Sequence, residues 1–338
     1  MIDLPTFWFA LLGVLLTGYA ILDGFDLGVG ILHPLVRGET ERRLAINSIG
    51  PLWDGNEVWL VTFGGALFAA FPEAYATILS GMSFPVIILH FSLIGRAISI
   101  EFRSKRPSKL WRGYWDFSFF LSSFTVVFVF GVAAGNAMKG LPLDAEHEHV
   151  GTTLGLLGAY PIAVGLFAVC AAAMHGSIFL YLKTEGELQA RVHRWIWRTF
   201  FVFLAAYVFV TAFTLIEIPH ATANFARWPA AWIVVALNVL AVANIPRAIH
   251  HGRPAYAFVS SCCTIAALVF LFGMALFPNL VVSSGPGPDL TIDNAASSET
   301  TLGLMAIIAA IGMPFVLTYT GIVYWVFRGK VKLGKFSY

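Results

Sequence analysis

Charge is scarce in this chain. Only 12% of its 338 residues are Asp, Glu, Lys or Arg, about half the share of a soluble domain. Hydrophobic residues make up 58% and mean hydropathy is +0.77, which excludes a water-soluble globule and predicts an integral membrane protein. Cysteine is nearly absent. Cys170, Cys262 and Cys263 lie in apolar runs, and the adjacent pair has no metal-site spacing, so all three read as small core residues. There is no phosphate loop, because Gly28-Val29-Gly30 has neither a strand before it nor a helix start after it. There is no cysteine cluster, no nucleophile motif and no stretch long enough for a soluble domain. The start, Met1-Ile2-Asp3-Leu4-Pro5, lacks a basic n-region and a small-residue cleavage site, so the first hydrophobic segment reads as retained.

What is present is a series of membrane-length apolar runs. Hydropathy places about nine spans, at 7–32, 53–71, 76–100, 114–137, 156–182, 199–219, 229–246, 256–278 and 302–327. The fifth is long enough to tilt or project. Trp8, Trp111, Trp115, Trp195, Trp197, Trp228 and Trp325 fall near the expected helix ends, as an interfacial belt would. Of the 21 Lys and Arg, all but Arg96, Lys139 and Arg227 follow an odd-numbered span. The positive-inside rule then puts the N-terminus outside and the C-terminus in the cytoplasm. The fold class expected is all-α and polytopic. The basic connections follow from orientation and do not indicate nucleic-acid binding. Asp144 to His149 reads as a short acidic hydrated loop; its His147 and His149 are not assigned a metal. Residues 279–300, rich in Ser, Gly, Pro and Asp, read as an ordinary surface loop.

Four carboxylates lie at or near hydrocarbon depth: Asp23, Asp26, Asp54 and Glu57. Each costs roughly 2.5–3.5 kcal/mol to insert. Arg96 and Glu101 close the third span, and the orientation brings all six to the cytoplasmic half. The members of each acidic pair are three apart and share a helix face. Gly24, Gly28 and Gly30 thin one side of the first span, which permits a close helix contact or a local break. Arg96 is the counter-charge that keeps a buried carboxylate ionised. Three readings stand open on these residues: a proton path, a structural ion-pair network, or the substrate site of an ion-coupled secondary transporter built on a Gly-broken helix. His90 and His175 lie within spans. Neither has an axial partner of the kind haem ligation uses, so both read as bonding neighbouring helices.

At these residues the sequence resembles subunit II of the cytochrome bd-type quinol oxidases. The first block is Leu22-Asp23-Gly24-Phe25-Asp26-Leu27-Gly28-Val29-Gly30. The second is Glu41-Arg42-Arg43 followed by Ile46-Asn47-Ser48-Ile49-Gly50-Pro51-Leu52-Trp53-Asp54-Gly55-Asn56-Glu57-Val58-Trp59. The third runs from Gly64 to Pro72 with Tyr75-Ala76, and the fourth is Arg96 with Glu101-Phe102-Arg103-Ser104-Lys105. Likeness continues more thinly through Lys183 to Leu188 and Met274 to Pro278. The compact loops resemble the cyanide-insensitive oxidase branch.

The resemblance implies one transmembrane domain over 1–338, made of a helix bundle at 1–140, a second at 150–280 and a last helix at 300–328. That is two four-helix bundles plus one peripheral helix. It implies a respiratory terminal oxidase of the bacterial inner membrane, which oxidises ubiquinol and reduces dioxygen to water, electrogenic without pumping. Haems b558, b595 and d belong to the partner, subunit I, and a small single-span accessory subunit joins some complexes. A structural quinone or lipid sits in subunit II in the family. By motif position, the proton path falls on Asp54, Glu101, Ser104 and Lys105, with Glu57 one turn from Asp54. Asp23, Asp26 and Arg96 organise a polar junction, and Trp59 matches a position near oxygen access in one branch. No metal ligand and no complete catalytic site is expected in this chain.

Overall fold

The computed structural model describes residues 3–334 and 338; Lys335, one of the 21 Lys and Arg counted above, lies outside the described residues. Capped apolar runs set the helices. Leu4–Leu32 (α1) begins where Asp3 Oδ1 accepts the Thr6 N–H at 2.7 Å, with Pro5 in the first turn. Glu39–Ile49 (α2) is short and polar. Trp53–Ala70 (α3) ends at Phe71, and Pro72 starts Pro72–Gly81 (α4) at 120° to it. Then come Ser83–Phe102 (α5), Lys109–Lys139 (α6), Ala159–Lys183 (α7), Gly186–Glu217 (α8), Ala223–Arg227 (α9), Ala231–His250 (α10), Pro254–Leu276 (α11) and Glu299–Val326 (α12). Among the described residues eight helices are long and apolar enough to cross a membrane, or nine if the α3–α4 pair, bent by 120°, is counted as one span.

Two boundaries differ from the sequence expectation. The third span starts at Ser83, not at 76, because Pro72 cannot continue α3 and α4 consumes the ten residues after it. The sixth begins at Gly186, not at 199. Its first turns hold Glu187, Arg191, Arg194 and Arg198, which hydropathy rejects but which form good helix outside the hydrocarbon. At 32 residues, α8 is about 48 Å long, well beyond the roughly 30 Å hydrocarbon layer.

Helices α1, α3, α5 and α6 pack as one group and α7, α8, α10 and α11 as another, joined along a seam of α1, α6, α7 and α11. The seam is tight at glycine. A Cβ on Gly28 would lie 2.9 Å from Gly176 Cα and overlap the Ala172 carbonyl, and one on Gly176 would meet Gly28 in return. Helix α1 is unbroken, and Gly18, Gly28 and Gly30 serve close contact, whereas Gly24 meets only His175 at 3.9 Å and Gly13 nothing within 4 Å. α12 stands outside, with Leu302 its one fully buried residue. A reciprocal clasp holds its end: Lys183 Nζ donates to Phe327 O at 2.5 Å, while Lys330 Nζ donates to Thr184 O at 2.8 Å. Each ammonium sits at the carbonyl end of the other's helix, where cations are favoured.

The opposite end is capped more firmly than its composition suggests. Residues 279–300 are not a plain surface loop. Strands Asn279–Val281 (β1) and Leu290–Thr291 (β2) pair there, and Val281, Leu290, Ile292 and Ala295 are buried with Leu141 and Leu143. Ser297 donates to Ala69 O and Ala70 O, satisfying carbonyls at the end of α3. Trp8 belongs to this core, 3% exposed, with Nε1 donating to Leu302 O at 3.0 Å; it is not an interfacial residue. Nor is Cys263 a core residue, since it is exposed on α11.

Gly28→Ala is expected to overpack the α1–α7 seam, at a cost of about 1–3 kcal/mol or more, lowering the Tm of the detergent-solubilised protein by several degrees. Gly64→Ala, which meets no atom within 4 Å inside α3, should not lower Tm and by helix propensity should raise it slightly. Equal Tm for the two variants would refute the close-contact account.

Candidate functional site

The seam and the first helix group place a charged junction inside the membrane-spanning helices. Arg96 of α5 is wholly buried and pairs with Asp23 of α1 (Nη1 to Oδ1, 2.5 Å) and Glu57 of α3 (Nη2 to Oε2, 2.9 Å). Its guanidinium also lies 5.9 Å from the Trp53 ring. Asp26 does not pair with Arg96. Its Oδ2 accepts from Asn56 Nδ2 at 2.7 Å, and Asn56 Oδ1 accepts from Tyr324 of α12 at 2.9 Å. One guanidinium and one amide therefore fasten α1, α3, α5 and α12 together. Sequence spacing paired Asp54 with Glu57 on one face, but the structure separates them. Glu57 turns in to Arg96, while Asp54 is exposed and makes no ion pair or hydrogen bond among the described residues.

The remaining positions lie at the same end of the bundle. Glu101 is half-buried near the end of α5 and in no ion pair among the described residues, and Ser104 and Lys105 are exposed just beyond it. Trp59 is 7% exposed and fills a notch at Gly18 of α1. His175 is fully buried, with its two ring nitrogens engaged by Ser261 Oγ at 2.7 Å and Ile21 O at 3.1 Å. His90 lies on an exposed face of α5 with Nδ1 on Val86 O at 2.8 Å. His147 pairs with Glu73 at 2.6 Å.

A second buried network escaped the sequence analysis. Asp116 of α6 accepts from His33 (2.6 Å), Arg42 (2.8 Å) and Arg103 (2.5 Å), and Arg103 also holds Glu39 with two bonds of 3.0 and 3.1 Å. Together these tie the end of α1 to α2, α5 and α6. The signal was there: Asp116 is a lone carboxylate inside an apolar run, and such a residue demands a partner.

The junction and the network define a polytopic membrane subunit whose internal charges are spent on joining helices. His175 and His90 are each engaged by protein oxygens, and among the described residues no group of three His, Cys, Asp or Glu is placed together as a metal site would place them. The chain matches the family described as cytochrome bd terminal oxidase subunit II over residues 4–327. It is 34% identical over 356 residues to cytochrome bd-I ubiquinol oxidase subunit 2 of Escherichia coli K12, covering 96% of this chain and 94% of that one. It is 36% identical over 341 residues to cytochrome bd ubiquinol oxidase subunit 2 of Bacillus subtilis, covering 98% of each. The bd oxidase structure from Geobacillus thermodenitrificans has the same fold, with a TM-score of 0.78 at 17% identity over 96% of this chain and 98% of that one.

The chain therefore belongs to the cytochrome bd terminal oxidase subunit II family. It is a multi-pass inner-membrane subunit of a bacterial quinol:oxygen oxidoreductase that works with subunit I in a haem-containing complex. The unbroken α1 and the family match together retire the transporter reading.

Arg96→Gln alone strands the buried Asp23 carboxylate, at an expected cost of about 3–5 kcal/mol, read as loss of haem-loaded complex from membranes. Asp23→Asn combined with Arg96→Gln should recover part of that yield, and Asp26→Asn combined with Arg96→Gln should not. Identical yields from the two double variants would overturn the assigned pairing.

Proposed function

We propose that this subunit delivers protons from the cytoplasm toward the oxygen site of its partner, through Asp54 and Glu101, with Ser104 and Lys105 at the rim and Glu57 behind. One observation carries the reading. Asp23, Asp26, Glu57 and Asp116 are each bound to an arginine or an amide, whereas Asp54 and Glu101 are in no ion pair among the described residues. A carboxylate kept free at the end of a membrane bundle is available to take up and release a proton. Glu57 lies three residues from Asp54 and touches Arg96, so it links the free rim to the buried junction. Asp23, Asp26 and Arg96 hold the three helices in register.

The orientation is part of this proposal. The basic connections put the rim of Asp54 and Glu101 on the cytoplasmic side, where protons for oxygen reduction are drawn. Haems b558, b595 and d, and the quinol-oxidising loop, are assigned in this proposal to subunit I, as the family resemblance implies. The substrate proposed is ubiquinol, as in the names of the relatives, and a small single-span subunit is a further proposed partner. A groove of about 400 Å³ between α7 and α8, lined by Ile162, Leu166, Phe167, Cys170, Phe209 and Phe213, suits the chain of a structural quinone or lipid. Trp59 is proposed as a wall of an oxygen route, and its seat against Gly18 suits a fixed wall.

Asp54→Asn in the assembled complex is expected to lower oxidase turnover by roughly tenfold or more, or to block haem d incorporation. Glu57→Gln should do less. Turnover and reduced-minus-oxidised spectra of Asp54→Asn membranes decide the matter: both normal would sink the proton-delivery reading.

A further inference from the structure

The connection between α10 and α11 gathers cations with no anion to meet them. The sequence from Ile218 to Pro288 contains no Asp or Glu, and neither Arg247 nor Arg253 is in an ion pair among the described residues. The turn itself brings the two arginines together. Gly252, at φ 65°, ends α10, with the Arg253 N–H donating to Ala248 O at 2.8 Å and the Gly252 N–H to Ile249 O at 3.0 Å. That paired closure needs a left-handed residue, which glycine supplies. Arg253 is thereby folded back over the last turn of α10, and it caps α11, whose Ala257 N–H reaches its carbonyl.

The result is a cleft of about 260 Å³ lined by Asn244, Arg247, Ala248, His251, Arg253 and Tyr256. Arg247 is braced there. Its Nη1 donates to Asn244 Oδ1 at 3.1 Å, and Asn244 Nδ2 donates to the buried Ser260 Oγ of α11 at 2.8 Å. The Arg253 guanidinium lies 5.8 Å from the Tyr256 ring. Topology asks only that arginines lie at this end of the bundle; it does not ask that two of them share one cleft with an amide as a brace. Two guanidinium groups without a carboxylate suit a phosphate, whose oxygens they bind in pairs.

The surface beside the cleft indicates what carries that phosphate. Leu240 and Leu237 lie two turns from Arg247 and Asn244 on the same face of α10, and they are 64% and 56% exposed. On α11, Val259 and Cys263 continue the face of Tyr256 and are exposed as well. A phosphate cradle at the helix ends, with bare apolar helix running away from it, matches an amphiphile with its headgroup in the cleft and its chains along α10 and α11.

We infer that the α10–α11 cleft binds the headgroup of an anionic phospholipid through Arg247 and Arg253, with His251 and Tyr256 at its rim. Basic clefts between membrane helices at the cytoplasmic side serve as sites of this kind. The site is separate from the α7–α8 groove, and it stands whether or not Asp54 and Glu101 carry protons.

The test uses the intact oxidase with both subunits, purified in mild detergent, depleted of lipid and titrated with phosphatidylglycerol, phosphatidylcholine or inorganic phosphate. Bound lipid is counted by native mass spectrometry, with haem content and Tm measured beside it. Wild type is expected to hold one phosphatidylglycerol more tightly than Arg247→Gln with Arg253→Gln does. The loss expected is about fivefold in affinity for each arginine and about 25-fold for both. Arg253→Gln removes no ion pair, so measured alone it should keep its haem and still show the fivefold loss. Phosphatidylcholine should bind wild type and variants alike, and inorganic phosphate should shift their Tm equally. Equal affinity of wild type and the double variant for phosphatidylglycerol would overturn the inference, as would an equal fall for phosphatidylcholine, which would leave the cations no part in reading charge. A phosphate-dependent rise in Tm confined to wild type, without a difference in phosphatidylglycerol, would assign the cleft to a free anion instead. Loss of haem or of subunit I in Arg253→Gln would place the cleft at the subunit interface and overturn the inference too.

Discussion

The pairing of Arg96 with Asp23 and Glu57 constrains everything else in the first helix group. A guanidinium with no exposed surface in a membrane bundle must find anions within its own reach, and they must be in place when the helices close. Meeting that demand fixes α5 against α1 and α3 at once, in rotation and in height. Once α1 is set, its other face is committed. Gly28 must meet Gly176, so α7 approaches to backbone contact, and the second helix group follows through α7 and α11. Asn56 then passes the constraint to α12 through Tyr324, a helix that otherwise buries almost nothing.

That dependence explains what was legible in the sequence and what was not. The helices follow from hydropathy alone because nothing but helix satisfies the backbone in lipid. The junction of Asp23, Arg96 and Glu57 was legible because each residue is conspicuous inside an apolar run. Which carboxylate takes which partner was not legible, because helical spacing gives a face and not a rotamer. Hence Asp54 and Glu57, three apart, end up with opposite fates. The Asp116 network was hidden for a different reason. Its cations come from loops and helix ends, where Arg42 and Arg103 look like ordinary positive-inside residues, and His33 sits just past the end of α1. The cap at 279–300 was misread because its burial comes from a few apolar residues, Leu290, Ile292 and Ala295, scattered through a polar segment that hydropathy averages away.

The pattern of spent and unspent charge bears on how this subunit divides labour with its partner. A scaffold needs its internal charges satisfied, and nearly all of them are. Within α3 and α5, Asp54 and Glu101 are the carboxylates in no ion pair among the described residues, and a lone charge at the end of a membrane bundle gives up stability that a hydrogen-bonded or apolar residue would retain.

The second network sharpens that contrast. Asp116 is held by His33, Arg42 and Arg103, while Glu101, two residues before Arg103, is in no ion pair among the described residues. Arg103 is turned toward Asp116 and Glu39 and so is withheld from Glu101. Both networks thus do two things. They fasten helix ends, and they absorb the arginines that would otherwise quench the free carboxylates. Positive charge is abundant at this end of the bundle, and a carboxylate surrounded by uncommitted guanidinium would pair with one. Among the described residues Glu101 and Asp54 stay out of ion pairs, while the buried Asp116 and Asp23, the half-buried Glu57 and the exposed Glu39 occupy Arg42, Arg96 and Arg103.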